Sequence, residues 1–475
     1  MLPALERFNS YAHQDLSPSR HAVWMAALDE PLPLEGVGLD AVLAVLCQTV
    51  IPDGVALGAP GFSAWVTGAP TTSGTVAKLA ATVAGPQRYL IQPFHYLETI
   101  ALRWLSELFG LPDDMQGVFT SGGSVANLIG LGAARQRAYE KLGHDPARDG
   151  YRATPVGSIY AATTVHHVVA RAAGVLGLGR RSVVLVETDG QERLDLGALR
   201  DALIQGRAAG RAPVAIVASA GTVDAGAVDP IAEMADLADE FGSWLHVDGA
   251  YGLFGMLDPR VAPLYAGLER ADSVVADPHK WLSAPIGCGS VFVRDRALLA
   301  RAFTTEPAEY LEGTFSPGRD TTTYDSMGEP YHYFGIEHSA PSRGVTVWAI
   351  LKEIGANGLR RRIMRDNDFA RHIARRAGED QRLELLAPPI LSICCFRYRA
   401  SGLDDRDLDE LNAEIARRLR AEGRYVPSTT RIRGSLAIRP CYINPRTTIA
   451  EVNGLADRVR ELGDQLTSAG QPFGK

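Results

Sequence analysis

A short apolar run, Ser273-Val274-Val275-Ala276, ends in Asp277-Pro278-His279-Lys280-Trp281-Leu282 and so presents one lysine at a turn. The chain carries 48 Lys+Arg, of which only Lys78, Lys141, Lys280, Lys352 and Lys475 are lysines. A chain that otherwise prefers arginine uses a primary amine here, and a desolvated lysine can deprotonate and form a Schiff base with a carbonyl compound, which arginine cannot. A lysine after a strand is ordinarily a surface residue, so a second feature has to raise this one above that reading.

That feature is Trp244-Leu245-His246-Val247-Asp248-Gly249-Ala250-Tyr251-Gly252, with Asp248 lying 280 − 248 = 32 residues before Lys280. Both stretches read as buried strands ending in a polar group, and in an open α/β sheet ligands sit beyond the carboxyl ends of the strands. An amine and a carboxylate delivered together suit pyridoxal 5′-phosphate. The amine holds its aldehyde, and the carboxylate keeps its ring nitrogen protonated and strongly electron-withdrawing.

Val118 to Leu128 reads as a strand, a turn (Ser121-Gly122-Gly123-Ser124) and a helix start. Small residues there let backbone N–H groups approach an anion at a helix N-terminus, which makes the turn a phosphate cradle. Ala162 to Arg171 contains His166-His167 where a strand gives way to a helix, and a histidine so placed can lay its ring on a flat cofactor. The later Gly174-x-x-Gly177-x-Gly179 closes a helix rather than opening one, so it is a poor dinucleotide motif.

Together, Asp-Pro-His-Lys-Trp-Leu and His-Val-Asp-Gly-Ala-Tyr resemble the group II pyridoxal-phosphate decarboxylases, over roughly residues 20 to 460. The resemblance implies PLP fold type I, an α/β architecture like aspartate aminotransferase with a large, mostly parallel seven-stranded sheet, and a homodimer that decarboxylates an L-amino acid. It implies that Lys280 carries the cofactor and that Asp248 meets its ring nitrogen. His166 and Ala250 would cover the ring faces, and Gly123, Ser124 and His279 would hold the phosphate. Arg171 fits the family spacing and selects His166, with His167 as runner-up. Trp65 and Thr67, in Pro60 to Gly68, would line the substrate pocket together with His166; Trp65 reads equally as a core residue. Counting back from Trp348, the family's catalytic loop tyrosine falls on Tyr331, with Tyr333 as fallback. Two positions depart from the pattern. Val223 leaves only Thr222 as a hydroxyl near the cofactor, and Asp277 stands where many members have asparagine, an acid that needs His279 or a helix N-terminus to offset it. Aldehyde formation or transamination on the same fold is the nearest alternative, and a non-catalytic scaffold the alternative of another class.

The elements that must position these residues follow from periodicity. From Ser182 to Leu282 short β-branched runs (Val183–Val186, Val214–Ser219, Trp244–Val247, Val274–Ala276) alternate with helical stretches (Gly197–Gln205, Ile231–Phe241), which implies βα units. Gly287–Val293 reads as a returning strand. Helices are expected at Ser19–Leu28, Leu39–Cys47, Gln92–Leu108, Val345–Leu359, Leu359–Ala377, Asp404–Glu422 and Thr448–Leu466, and strands at Leu391–Tyr398 and Leu436–Ile438. The expected organisation is an N-terminal segment over 1–75 that wraps a partner subunit, a large cofactor domain over 76–355 with a mobile lid at about 310–335, and a small α/β domain over 356–475.

With 46% hydrophobic and 22% charged residues, the composition is that of a globular protein, and a net charge of −7 argues against a nucleic-acid partner. The five scattered cysteines form no Cys-x-x-Cys and no metal-ligand spacing occurs, which points to a reducing compartment without a metal centre. The N-terminus lacks a leader pattern and no run reaches the ~18 apolar residues a membrane span needs. A cytoplasmic enzyme is the expectation, with an aromatic or large apolar substrate, since Trp65, Val66 and Phe94 bring no charge to the assigned pocket.

Overall fold

The computed structural model describes residues 18–86, 93–151, 154–304 and 330–468. Its strands, in chain order, are β1 (Phe62–Ser63), β2 (Gln116–Thr120), β3 (Gly157–Ala162), β4 (Val183–Val186), β5 (Ala212–Ser219), β6 (Trp244–Asp248), β7 (Ser273–Ala276), β8 (Gly289–Val293), β9 (Leu383–Ala387), β10 (Cys395–Tyr398), β11 (Val426–Ile432) and β12 (Ser435–Arg439). The chain divides into two compact units, Pro70–Met364 and a second one made of the residues up to Ala69 with Arg365–Lys475.

The larger unit is built on a seven-stranded sheet of order β2-β8-β7-β6-β5-β3-β4. Neighbours pair in parallel from β7 through to β4, while β8 runs antiparallel to both β7 and β2, the expected returning strand. Strands buried on both faces need continuous apolar runs, and β3, β7 and β8 are buried at every position. Ser219 of β5 lies opposite Asp248 of β6, and Asp248 lies opposite Val275 of β7. This register brings the carboxyl ends of the three central strands to one edge, where ligands of such sheets bind.

The helix Pro93–Leu108 buries His95, Glu98, Ala101, Leu102 and Leu105. Leu97, Ile100, Trp104 and Leu108 are half-buried, so the packed face is centred nearer Glu98 than the large apolar residues alone would put it. A Cβ on Gly344 would stand 2.3 Å from the Glu98 Cα, so only glycine lets the two backbones come this close. Thr72–Ala84 is a further helix that periodicity did not show; Thr71 accepts the Gly74 N–H at its start and Gly85 closes it in the left-handed conformation. The two helices expected over Val345–Ala377 are one run, Gly344–Glu379, broken at Gly355 with φ 64°.

The smaller unit is a sheet of order β1-β11-β12-β10-β9 with its apolar side covered by Asp405–Glu422 and Ile449–Ser468. The N-terminal residues are part of it. Phe62 of β1 pairs in parallel with Val426 of β11, Asn444 donates to the Ala59 carbonyl at 2.9 Å, and Thr447 donates to the Pro60 carbonyl at 2.8 Å. The strand expected over Leu391–Tyr398 is reduced to Cys395–Tyr398, and β9 and β11 come in addition. Among the described residues no helix is long and apolar enough to cross a membrane, and no cluster of metal-ligating side chains occurs. Most of the lid expected at about 310–335 lies outside the described residues; Tyr331–Phe334 forms a single 3-10 turn.

Candidate active site

The three strand ends are tied together by their main chains before any side chain is considered. Ala220 N–H donates to the Asp248 carbonyl at 2.9 Å, Gly249 N–H to the Val275 carbonyl at 3.1 Å, and Asp277 N–H to the Ala250 carbonyl at 3.3 Å. Asp248 is oriented locally, because its Oδ1 accepts the Ala250 N–H at 3.1 Å, and a carboxylate has a second oxygen to offer a protonated ring nitrogen.

Lys280 follows β7 by one turn, and its Nζ lies 3.2 Å from Asp277 Oδ2. His279 Nε2 is 3.8 Å from the same oxygen, and its Nδ1 donates to the Cys288 carbonyl at 2.7 Å. Burial lowers the His279 pKa, with Asp277 pulling the other way. Lys280 thus stands closest to Asp277, in addition to His279 and the start of the Gly123 helix, the two neighbours the sequence led one to expect. Asp277 is nearly fully buried, and its Oδ1 has no hydrogen-bond partner.

The glycine turn closes on this carboxylate. Gly122 sits at φ 149°, and the helix Gly123–Glu140 starts directly after it without a side-chain cap. A Cβ on Gly123 would lie 2.7 Å from Asp277 Oδ2 and 3.2 Å from the Ala250 methyl, and one on Gly122 would lie 3.1 Å from the His279 ring. Gly123, Ala250, Asp277, His279 and Lys280 thus surround one small space, with Ser124 exposed at the helix start, where first-turn N–H groups have no intrahelical acceptor.

His166 lies within electrostatic reach of this space. Partial desolvation lowers its pKa, while Asp248 raises it and Lys280 and Arg171 lower it, which places the ring in the field of both key residues. Its Nδ1 accepts the Val168 N–H at 3.3 Å, and the His167 ring stands 4.2 Å away, centre to centre. Thr222 is buried and spends its hydroxyl on the Ala227 N–H at 3.0 Å, inside its own loop. In the smaller unit Trp65 is 60% exposed, which rules out the core reading. Its main chain sits at φ 52° and is held by Ser428 and Arg439, and Thr67 nearby is half-buried. Tyr331 is buried in the larger unit, its hydroxyl 3.0 Å from Thr99 Oγ1 and its ring 4.6 Å from His95. Tyr333 is half-buried, and its carbonyl accepts from Thr304.

The pyridoxal-dependent decarboxylase conserved domain matches residues 40–399. The chain belongs to this family. Over 444 residues it is 31% identical to an aromatic-L-amino-acid decarboxylase of Bacillus atrophaeus, covering 93% of this chain and 88% of the relative. Over 441 residues it is 29% identical to an L-2,4-diaminobutyrate decarboxylase of Rhizobium meliloti, covering 92% and 84%. Its fold matches that of an Oryza sativa TDC crystallised with PLP and tryptamine, with a TM-score of 0.88 at 24% identity over 98% of this chain and 95% of that one.

As a family member the chain is a PLP-dependent amino-acid decarboxylase of fold type I, and the residues present fit the cofactor. A primary amine stands at a strand end, a glycine turn leaves a space that one Cβ would fill, and the Asp277 Oδ1 beside it is buried without a hydrogen-bond partner among the described residues. Asn127, His246 and Ser273 form a fully buried polar layer whose only signal is that such residues interrupt apolar runs.

Proposed function

We propose that this chain decarboxylates an aromatic or large apolar L-amino acid to the amine and CO2. The observation that carries the reading is Lys280, held 3.2 Å from Asp277 at the edge where Asp248 and the Gly123 turn converge. Bound PLP supplies the electron sink for the pair released when the bond from Cα to the carboxylate breaks. Lys280 would hold it through its primary amine, which the substrate amine would replace. Asp248 would keep the ring nitrogen protonated, His166 and Ala250 would cover the ring, and Gly123, Ser124 and His279 would receive the phosphate, with Asp277 and Thr222 as neighbours. His166 would orient the substrate beside the cofactor for loss of the carboxylate. CO2 leaves uncharged, and Cα takes one proton, which Tyr331 donates.

Borohydride reduction of the PLP-loaded chain, followed by peptide mapping, is expected to fix the phosphopyridoxyl group on Lys280. A label confined to Lys78, Lys141 or Lys352 would remove Lys280 from the site.

We also propose a homodimer in the cytoplasm. The helix Leu39–Val45 buries none of its residues, and Leu32 and Leu34 ahead of it are 86% and 97% exposed, an apolar surface suited to a second copy. All five cysteines are free, which suits a reducing compartment. Deleting residues 1–35 is expected to give insoluble or inactive protein. A soluble, active monomer would end the dimer proposal.

A further inference from the structure

Beneath the cofactor edge runs a chain of buried hydrogen bonds that joins the three elements carrying the proposed cofactor residues. Trp244 Nε1 and Ser273 Oγ are 2.7 Å apart, Ser273 Oγ and His246 Nδ1 2.7 Å, His246 Nε2 and Asn127 Oδ1 3.0 Å, and Asn127 Nδ2 and the Gly123 carbonyl 2.8 Å. Asn127, His246 and Ser273 have no exposed surface.

Its ends dictate its direction. An indole N–H can only donate and a carbonyl can only accept. Ser273 therefore accepts from Trp244 and donates to His246 Nδ1, His246 carries its proton on Nε2 and donates to Asn127, and Asn127 donates to Gly123. Such a chain needs a neutral imidazole, and complete burial pushes the His246 pKa down to about 4. The contact is tight as well as polar: a Cβ on Gly130, one turn along the same helix, would lie 2.7 Å from His246 Cε1.

We propose that His246 is a positioning residue for the cofactor: from β6 it locks the Gly123 helix through Asn127 and β7 through Ser273, and so sets the phosphate turn against Lys280 and Asp248. The inference rests on the proposed reading of those three as cofactor residues. His246 lies two residues before Asp248 on β6, Ser273 begins the strand that leads to Lys280, and Asn127 lies one turn after Gly123. Removing one link leaves the next group buried without a partner, a cost paid at the element that can shift, which is the helix start.

The test compares PLP with pyridoxal, the same aldehyde without phosphate, binding to the apo chain, read from the visible band of the lysine-bound aldehyde. His246→Asn keeps the acceptor for Ser273 but is too short to reach Asn127, and Asn127→Ala cuts the same link from the other side. Each is expected to weaken PLP about ten- to a hundredfold while leaving pyridoxal affinity unchanged. His246→Gln, whose amide nitrogen stands near the Nε2 position, is expected to restore part of the PLP affinity. Parent PLP affinity in Asn127→Ala, or equal losses for PLP and pyridoxal, would overturn the proposal; if His246→Asn does not fold, Asn127→Ala decides alone. Lys280→Ala is the control for the underlying reading. If the band persists in it, the site assignment fails, whatever the relay variants show.

Discussion

Asp248→Ala is expected to fold, to retain some PLP, and to decarboxylate about a hundred- to a thousandfold more slowly or worse, the scale seen when one preorganised electrostatic partner is removed. The strand does not depend on this side chain. Its register with Ser219 and Val275 and its bond from Ala220 all use the backbone, and among the described residues the carboxylate itself holds the Ala250 N–H. On the proposed reading, what is lost is the charge that would keep the ring nitrogen protonated, and with it the depth of the electron sink. Asp248→Asn, which keeps the shape and loses the charge, should fall nearly as far. The measurement is kcat at saturating PLP, and near-parent turnover in Asp248→Ala would remove this residue from the site.

Tyr331→Phe is expected to consume substrate but lose the amine product, with aldehyde and ammonia in its place. A phenol in a closed, dry site can protonate Cα, whereas phenylalanine keeps the shape and has no proton to give. Cα is then left open to oxygen, and the balance is amino acid plus O2 and H2O giving aldehyde, NH3, CO2 and H2O2. The Tyr331 hydroxyl rests on Thr99 beside His95, so delivery to Cα requires it to leave this contact when the site closes. Amine and aldehyde are to be measured per substrate consumed, in air and without it. Amine at the parent rate from Tyr331→Phe would show that the proton comes from elsewhere, and Tyr333→Phe would be the next variant.

The chemistry was legible in the sequence because it sits at the ends of short, strongly patterned strands. Asp248 and Lys280 each close a buried apolar run, and the parallel register then leaves them little choice of position. What was not legible depends on long-range pairing. Val426-Pro427-Ser428-Thr429-Thr430-Arg431-Ile432 is too polar to announce a strand, yet it lies between β1 and β12, and that pairing draws the N-terminal residues into the smaller unit. Leu383-Glu384-Leu385-Leu386-Ala387 is a strand made of good helix formers, a local preference overridden by pairing with β10. Asp277 looked like an acid in need of His279 or a helix N-terminus, and both lie beside it; what the sequence did not say is that the lysine three residues on folds back over it as well. His246 looked like an ordinary strand residue, since its two partners come from 119 residues before and 27 after.

The most direct test of the central claim is product analysis of the PLP-loaded chain against the common L-amino acids and L-2,4-diaminobutyrate, with CO2, amine, aldehyde and keto acid all quantified. The account predicts amine and CO2 in equal amounts, fastest from an aromatic or large apolar L-amino acid. Keto acid without CO2, or fastest turnover of glutamate or 2,4-diaminobutyrate, would contradict it.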